Sequence, residues 1–316
     1  MRAVTEDRRP TTEDRGFLSM RQLDLFADAD ALLHRGWARL GRLDLAGAAE
    51  DLEGQERRRP GPGTAELREA LGWIRGRLPE ASEAEGPGTL RLCRALREGR
   101  TGCSALDRRP SARRGLVRAL AGRFAPLARA HPAAPLAEGL PWAVFLAWAG
   151  HPAEAAPALE EWVRRVPEEP LVWLALGDAR VLQGWERAGR AAYREGFGLA
   201  PDSTWKVEDA ALGPARAEVA RAAPWGGPWW AVGLYEVGWF PRYGPLTAGE
   251  TAARYERFKR LSSGEPGPRA FFLGLALSEP AAGVPTRLRA AVRRQMREMA
   301  PEVFEAHLDR IRGEGS

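Results

Sequence analysis

A chain of 316 residues, 44% of them hydrophobic, is long enough to bury one elongated repeat domain or two compact ones. No apolar run in it reaches the ~18 residues that a membrane-spanning helix needs. Its net charge of +5 rests almost wholly on arginine, since Lys206 and Lys259 are the only lysines among 47 basic residues. Acidic residues are interspersed nearly throughout, which describes a solvated, salt-bridged surface rather than a basic nucleic-acid face. Cys93 and Cys103 are the only cysteines, too few for a disulfide framework in a chain of this size. The polar, mixed-charge segment 1–16 lacks the basic-then-apolar order of a secretory signal. The expected location is cytoplasmic, with both thiols reduced and no membrane partner.

Residues 1–16 carry only Met1 and Val4 as large apolar side chains, too little to offset the entropy of ordering. Residues 1–27 are therefore read as a disordered tail. Within it, Gln22-Leu23-Asp24-Leu25-Phe26 resembles the pentapeptide by which many bacterial replication and repair proteins dock on the DNA polymerase sliding clamp. The resemblance implies an extended segment whose leucine and phenylalanine enter a preformed apolar pocket while the glutamine anchors through hydrogen bonds. A competing reading is packing, in which Leu23, Leu25 and Phe26 seal the open end of the first helical hairpin.

Beyond Phe26 the pattern turns helical. Asp28 or Asp30 caps a helix through Leu32, Leu33, Trp37 and Leu40, and a second begins near Asp44 and runs through Leu52 to about Arg58. Pro60-Gly-Pro-Gly63 then breaks the chain. Farther on, superposing 136–169 on 170–203 pairs Trp142 with Leu176, Ala143 with Gly177 and Gly150 with Gly184. It also pairs Ala155 with Gly189, Leu159 with Tyr193 and Pro167 with Pro201, every pair 34 residues apart. The small residues let two helices cross closely, the paired glycines stop the first helix, and the prolines mark the end of the second. The run from Gly139 to Gly150 reads as a buried core helix.

That period, and the order Trp173, Leu176-Gly177, Gly189, Tyr193, Pro201 in the second copy, resemble the tetratricopeptide repeat. Gly36, Ala48, Leu52 and Pro60 keep the same internal spacings, so 29–62 reads as a third copy, while 63–135 fits only loosely. Arg180 stands where the family has tyrosine, and Gly139 where it has tryptophan. The resemblance implies an all-α fold: a TPR-like αα superhelix of hairpins over 28–203, whose concave face takes a protein or peptide ligand.

Residues 204–316 are expected to form a helical extension packed on the repeats. A helix from Trp229 to Gly238 lies in the Trp-, Gly- and Pro-rich stretch Pro224–Pro245, and Thr247-Ala-Gly-Glu250 is a capping box opening a helix to about Leu261. Arg269–Ser278, Thr286–Met299 and a last helix from Pro301 follow, the last with Val303, Phe304, His307, Leu308 and Ile311 on one face. The aromatics Trp225, Trp229, Trp230, Tyr235, Trp239, Phe240 and Tyr243 could stack bases or trap a proline-rich ligand. At helical spacing beside Gly and Pro they read as core. In 286–299, Leu288, Ala291, Val292, Gln295 and Met296 form an inner stripe, so Arg287, Arg289, Arg293, Arg294 and Arg297 are expected to face water.

Motifs for chemistry are missing from the sequence. Neither lysine follows a glycine, which excludes a phosphate-binding P-loop, and His34, His131, His151 and His307 are scattered without metal-ligand spacing. There is no Gly-x-Ser-x-Gly elbow, and Cys103 is a lone thiol without a placed base. The function is accordingly read as a non-enzymatic scaffold for protein–protein interaction, tethered to the sliding clamp through Gln22–Phe26 and needing no cofactor or metal. The alternative is nucleic-acid association through the Arg-rich C-terminal helices, although direct nucleic-acid binding is not expected.

Overall fold

The computed structural model describes residues 30–78, 86–137, 139–203, 205–222, 225, 227–264 and 267–314. The expected tail, its Gln22–Phe26 pentapeptide and the cap at Asp28 lie outside these residues. Among the described residues the fold is all-α, with seventeen helices and a single two-stranded β pair. Contacts divide the chain between Leu120 and Ala121 into two units.

The first unit begins with α1 (30–41) and α2 (Leu45–Arg58). Leu43 adopts a positive φ in the short link, and Asp44 caps α2 by accepting a hydrogen bond from the Gly47 amide at 2.9 Å. Asp51, buried on α2, accepts from Arg35 Nε on α1 at 2.8 Å, so the hairpin is held by a charged pair as well as by apolar packing. α3 (Pro62–Arg75), α4 (Gly86–Glu98), the single turn α5 (Ser104–Asp107) and α6 (Pro110–Arg123) complete this unit. Their inward faces carry Leu67, Ile74, Leu90, Leu96, Leu116 and Leu120, all fully or almost fully buried.

The second unit opens with α7 (Ala125–Ala130), after which β1 (Pro135–Ala137) and β2 (Leu140–Pro141) pair antiparallel. α8 (Ala143–Ala149) and α9 (Pro152–Arg165) form one hairpin, and α10 (Pro170–Leu182) and α11 (Glu186–Leu199) form the next. α10 packs against α9 and α8 as well as against α11, so the hairpins stack in succession. The core helix expected from Gly139 to Gly150 is shorter than that. It starts only at Ala143, because Gly139 sits at φ +77° and Pro141 has no amide hydrogen to donate. Gly150 and Gly184 each take the left-handed conformation that ends the preceding helix, at φ +90° and +82°.

The second hairpin crosses at its glycines. A Cβ on Gly189 would stand 2.9 Å from the Gly177 carbonyl oxygen, and one on Gly177 would meet the Tyr193 ring, so only hydrogen fits at either point. After α12 (Leu212–Arg221) come α13 (Trp230–Glu236), α14 (Ala248–Ser263), α15 (Pro268–Ser278), α16 (Thr286–Met299) and α17 (Pro301–Glu314). α13 and α15 pack on α11, and the joint is aromatic. Tyr193 stacks on Trp239 with ring centroids 5.9 Å apart, and Phe197 meets Trp230 edge-on at 4.8 Å.

The capping box of α14 is fully formed. Thr247 Oγ1 accepts from the Glu250 amide at 3.2 Å, and Glu250 Oε2 accepts from the Thr247 amide at 2.8 Å. The hydrogen bonds that the Thr247 amide and hydroxyl donate to it hold the Glu250 carboxyl below its ordinary pKa. Thr247→Ala is expected to cost about 1 kcal/mol and lower Tm in a thermal melt. The contribution of Glu250 is present above its unfolded-state pKa and is lost as the pH falls through the folded one, so the difference between parent and variant should shrink in acid.

Candidate functional site

The repeat positions read from sequence lie on α8 to α11 and the turns that bound them. Ala143, Ala155, Leu159, Leu176 and Tyr193 are buried to within 1% of full burial, and Trp142 precedes α8, touching Phe124 and Phe145. Pro167 and Pro201 each lie just beyond the second helix of a hairpin. Trp173 is different: it is only half-buried, and its Nε1 donates to the Pro167 carbonyl at 2.9 Å, which fixes the indole at the edge of a cleft.

That cleft, of 690 Å³, runs between α10–α11 on one side and the 243–246 segment, α14 and the start of α15 on the other. Its apolar lining includes Ala191, Gly198, Leu199, Leu246 and Leu273. Its walls carry charge. Arg194 lies over the Tyr243 ring at 3.6 Å from the centroid and Arg254 over the same ring at 4.9 Å. Both guanidinium groups also bind Glu195, at 3.0 and 2.9 Å. Burial raises the Glu195 carboxyl, yet the two arginines outweigh it and hold the group below its ordinary pKa.

Arg257 has no comparable arrangement. Its Nη2 lies 3.1 Å from Glu168 Oε1, but among the described residues neither Nη2 nor Nε makes an aligned hydrogen bond, and the side chain is only 15% exposed. Burial opposes its charge most strongly, Glu168 supports it, and Arg269, Arg260 and Arg254 oppose it, so its pKa lies below the usual guanidinium value. An underpaired cation in a cleft with apolar lining residues favours a ligand bearing both a carboxylate and apolar side chains.

The other sequence candidates are placed as follows. Of the seven aromatics, Trp225, Tyr235, Trp239, Phe240 and Tyr243 are at most 6% exposed, which makes them core, as their spacing suggested. On α16, Arg289 donates to the Val284 carbonyl at 2.9 Å and Arg293 to the Ser278 carbonyl at 2.8 Å, so these two turn inward rather than to water. Arg287, Arg294 and Arg297 are exposed. Cys93 and Cys103 are buried, and burial pushes both thiols above their ordinary pKa. Among the described residues no group of three His, Cys, Asp or Glu side chains could hold a metal ion, and no helix is long and apolar enough to cross a membrane.

Two polar constellations escaped sequence reasoning. On α10, buried Asp178 accepts from the Tyr193 hydroxyl at 2.6 Å, the Trp205 indole at 3.1 Å and the Glu208 amide at 3.0 Å. Near the C-terminus, Ser278 Oγ lies 3.1 Å from His307 Nε2, and His307 Nδ1 lies 2.8 Å from Glu236 Oε1. This is the atom order of a serine–histidine–carboxylate relay. Ser278 and His307 have no exposed surface, however, and Ser278 Oγ also donates to the Leu275 carbonyl at 3.0 Å. A substrate carbonyl has no route to that oxygen in this structure. Arg310 binds both Glu236 and Glu279, and the Tyr235 hydroxyl donates to Glu279 at 2.9 Å, so the whole group joins α13, α15 and α17.

Comparison with protein-family models, with curated proteins and with solved structures found no match for this chain.

Proposed function

We propose that this protein is a non-enzymatic helical-repeat scaffold, built on tetratricopeptide-like hairpins, whose cleft between α10–α11 and α14 receives an acidic and apolar peptide segment of a partner protein. The observation that carries this reading is the cleft itself: a space of 690 Å³ with apolar residues in its lining beside the underpaired Arg257 guanidinium. Successive stacked hairpins, with glycines at the crossing of the second, support the repeat assignment. The pentapeptide Gln22–Phe26 extends the reading: it serves as a tether to the DNA sliding clamp in the cytoplasm, supported by its residues and by its position ahead of α1.

Display of random dodecapeptides against the full chain tests the cleft. Enriched sequences should combine Asp or Glu with Leu or Phe, and Arg257→Ala should weaken them about tenfold, the loss of one charge-assisted hydrogen bond. Arg287→Ala, on the exposed face of α16, should leave them unchanged. Failure to enrich any sequence, or equal binding to the Arg257 variant, removes the cleft as the site. The tether is tested by fluorescence anisotropy of a labelled 17–30 peptide with the sliding clamp. Equal and poor binding by the parent, Gln22→Ala and Phe26→Ala peptides would reject it.

A further inference from the structure

The first unit contains a second cavity, of 540 Å³, between α1 and α6. Its basic lining is Arg42, Arg109 and Arg118 beside the His34 imidazole, and among the described residues that line it there is no carboxylate. Arg42 and Arg118 are exposed and reach no acidic partner among the described residues, while Arg109 makes a 3.4 Å contact with Glu66 and lies over the Trp37 ring at 4.9 Å. Such a one-sided lining is a positive field without an acidic counterpart among the described lining residues.

Two further features point the same way. Trp37 lines the cavity and is 6% exposed, yet its indole Nε1–H donates to no acceptor among the described residues. A buried donor without an acceptor costs about 1–3 kcal/mol, which an oxygen-bearing ligand would offset. The N-terminus of the fourteen-residue α6 also opens here, because Ser111 and Ala112 of its first turn belong to the lining. First-turn amides have no acceptor within their own helix and carry the positive end of the helix dipole.

The floor is made of small residues. A Cβ on Gly115 would stand 2.7 Å from the Gly41 carbonyl oxygen, so α1 and α6 touch backbone to backbone, and Ala38, Ala112 and Ala119 leave the space above them open. We propose that this cavity binds a small phosphate-bearing molecule of about mononucleotide size. Its phosphate is held by Arg42, Arg118 and the first turn of α6, and the Trp37 indole donates to one of its oxygens. Several cations without a carboxylate favour a dianion over a single carboxylate, and the guanidinium fork matches phosphate oxygens. The volume lies within the range of small-molecule sites. This proposal is independent of the peptide cleft, which belongs to the other unit.

The test is titration of the full-length protein, labelled with ¹⁵N at tryptophan indoles, with inorganic phosphate and with AMP. Trp37→Phe identifies the resonance. The Trp37 indole signal should shift and saturate with both probes, more tightly with AMP. Arg42→Gln combined with Arg118→Gln, both at exposed positions, should weaken binding at least tenfold with an unchanged thermal melt. No shift of that signal, or a shift unaffected by the double variant, overturns the proposal. A dodecanucleotide that outcompetes AMP by more than a hundredfold, with affinity falling steeply as salt is added, also overturns it and makes the cavity part of a nucleic-acid surface instead.

Discussion

Gly177→Ala is expected to destabilise the second unit by about 2 kcal/mol, although alanine is the better helix former by about 1 kcal/mol. The added Cβ would lie 2.3 Å from Tyr193 Cδ1 and 2.4 Å from Cε1. Tyr193 cannot swing aside, because it is fully buried and its hydroxyl is held by Asp178 at 2.6 Å. Making room therefore also stretches a buried hydrogen bond. The control is Gly72→Ala on the exposed face of α3, where the new methyl would meet nothing within 4 Å. There propensity acts alone, and the variant should gain up to about 1 kcal/mol. Urea titrations of the two variants should move in opposite directions. If both are stabilised, α10 and α11 do not cross at their glycines and the hairpin reading fails.

Removing Glu236 should cost more. Glu236→Leu leaves His307 and Arg310 facing a buried apolar side chain in place of a carboxylate, and loss of one partner from a buried charge group costs about 3–5 kcal/mol. Ser278→Ala should cost about 1–3 kcal/mol, since it leaves His307 Nε2 unpaired but removes no charge. That ranking, measured by chemical unfolding, is what a structural network predicts. An ester-hydrolysis assay separates it from catalysis. If the parent cleaves an activated ester and Ser278→Ala abolishes the cleavage, a substrate reaches Oγ after all and the sealed reading is wrong.

The pair of predictions also marks where sequence reading succeeded and where it stopped. Asp44, Thr247, Gly150, Gly184 and Pro301 act within one helical turn of themselves, by capping, by taking a left-handed φ or by fixing it, so the helix boundaries they set were legible one residue at a time. The 34-residue echo between 136–169 and 170–203 was legible because stacked hairpins need small and large side chains in step. The start of α8 was not. Hydrophobicity ran continuously from Leu140 to Ala149, and the β pair with Pro141 interrupted a helix that periodicity alone extended.

What the amino-acid order by itself determined is the all-α class, the stops and starts of those helices whose ends carry a cap, a left-handed glycine or a proline, and the small residues at the crossing of α10 and α11. Each follows from neighbours at fixed spacing along the chain, where backbone sterics and local hydrogen bonds decide. What only the tertiary structure decided is which polar groups meet. Glu236 reaches His307 across 71 residues, Arg254 reaches Glu195 across 59, and Asp178 reaches Trp205 across 27. No periodicity encodes such pairs. Burial brings them together, and only once α13, α15 and α17 have packed does an unpaired charge become costly enough to require its partner.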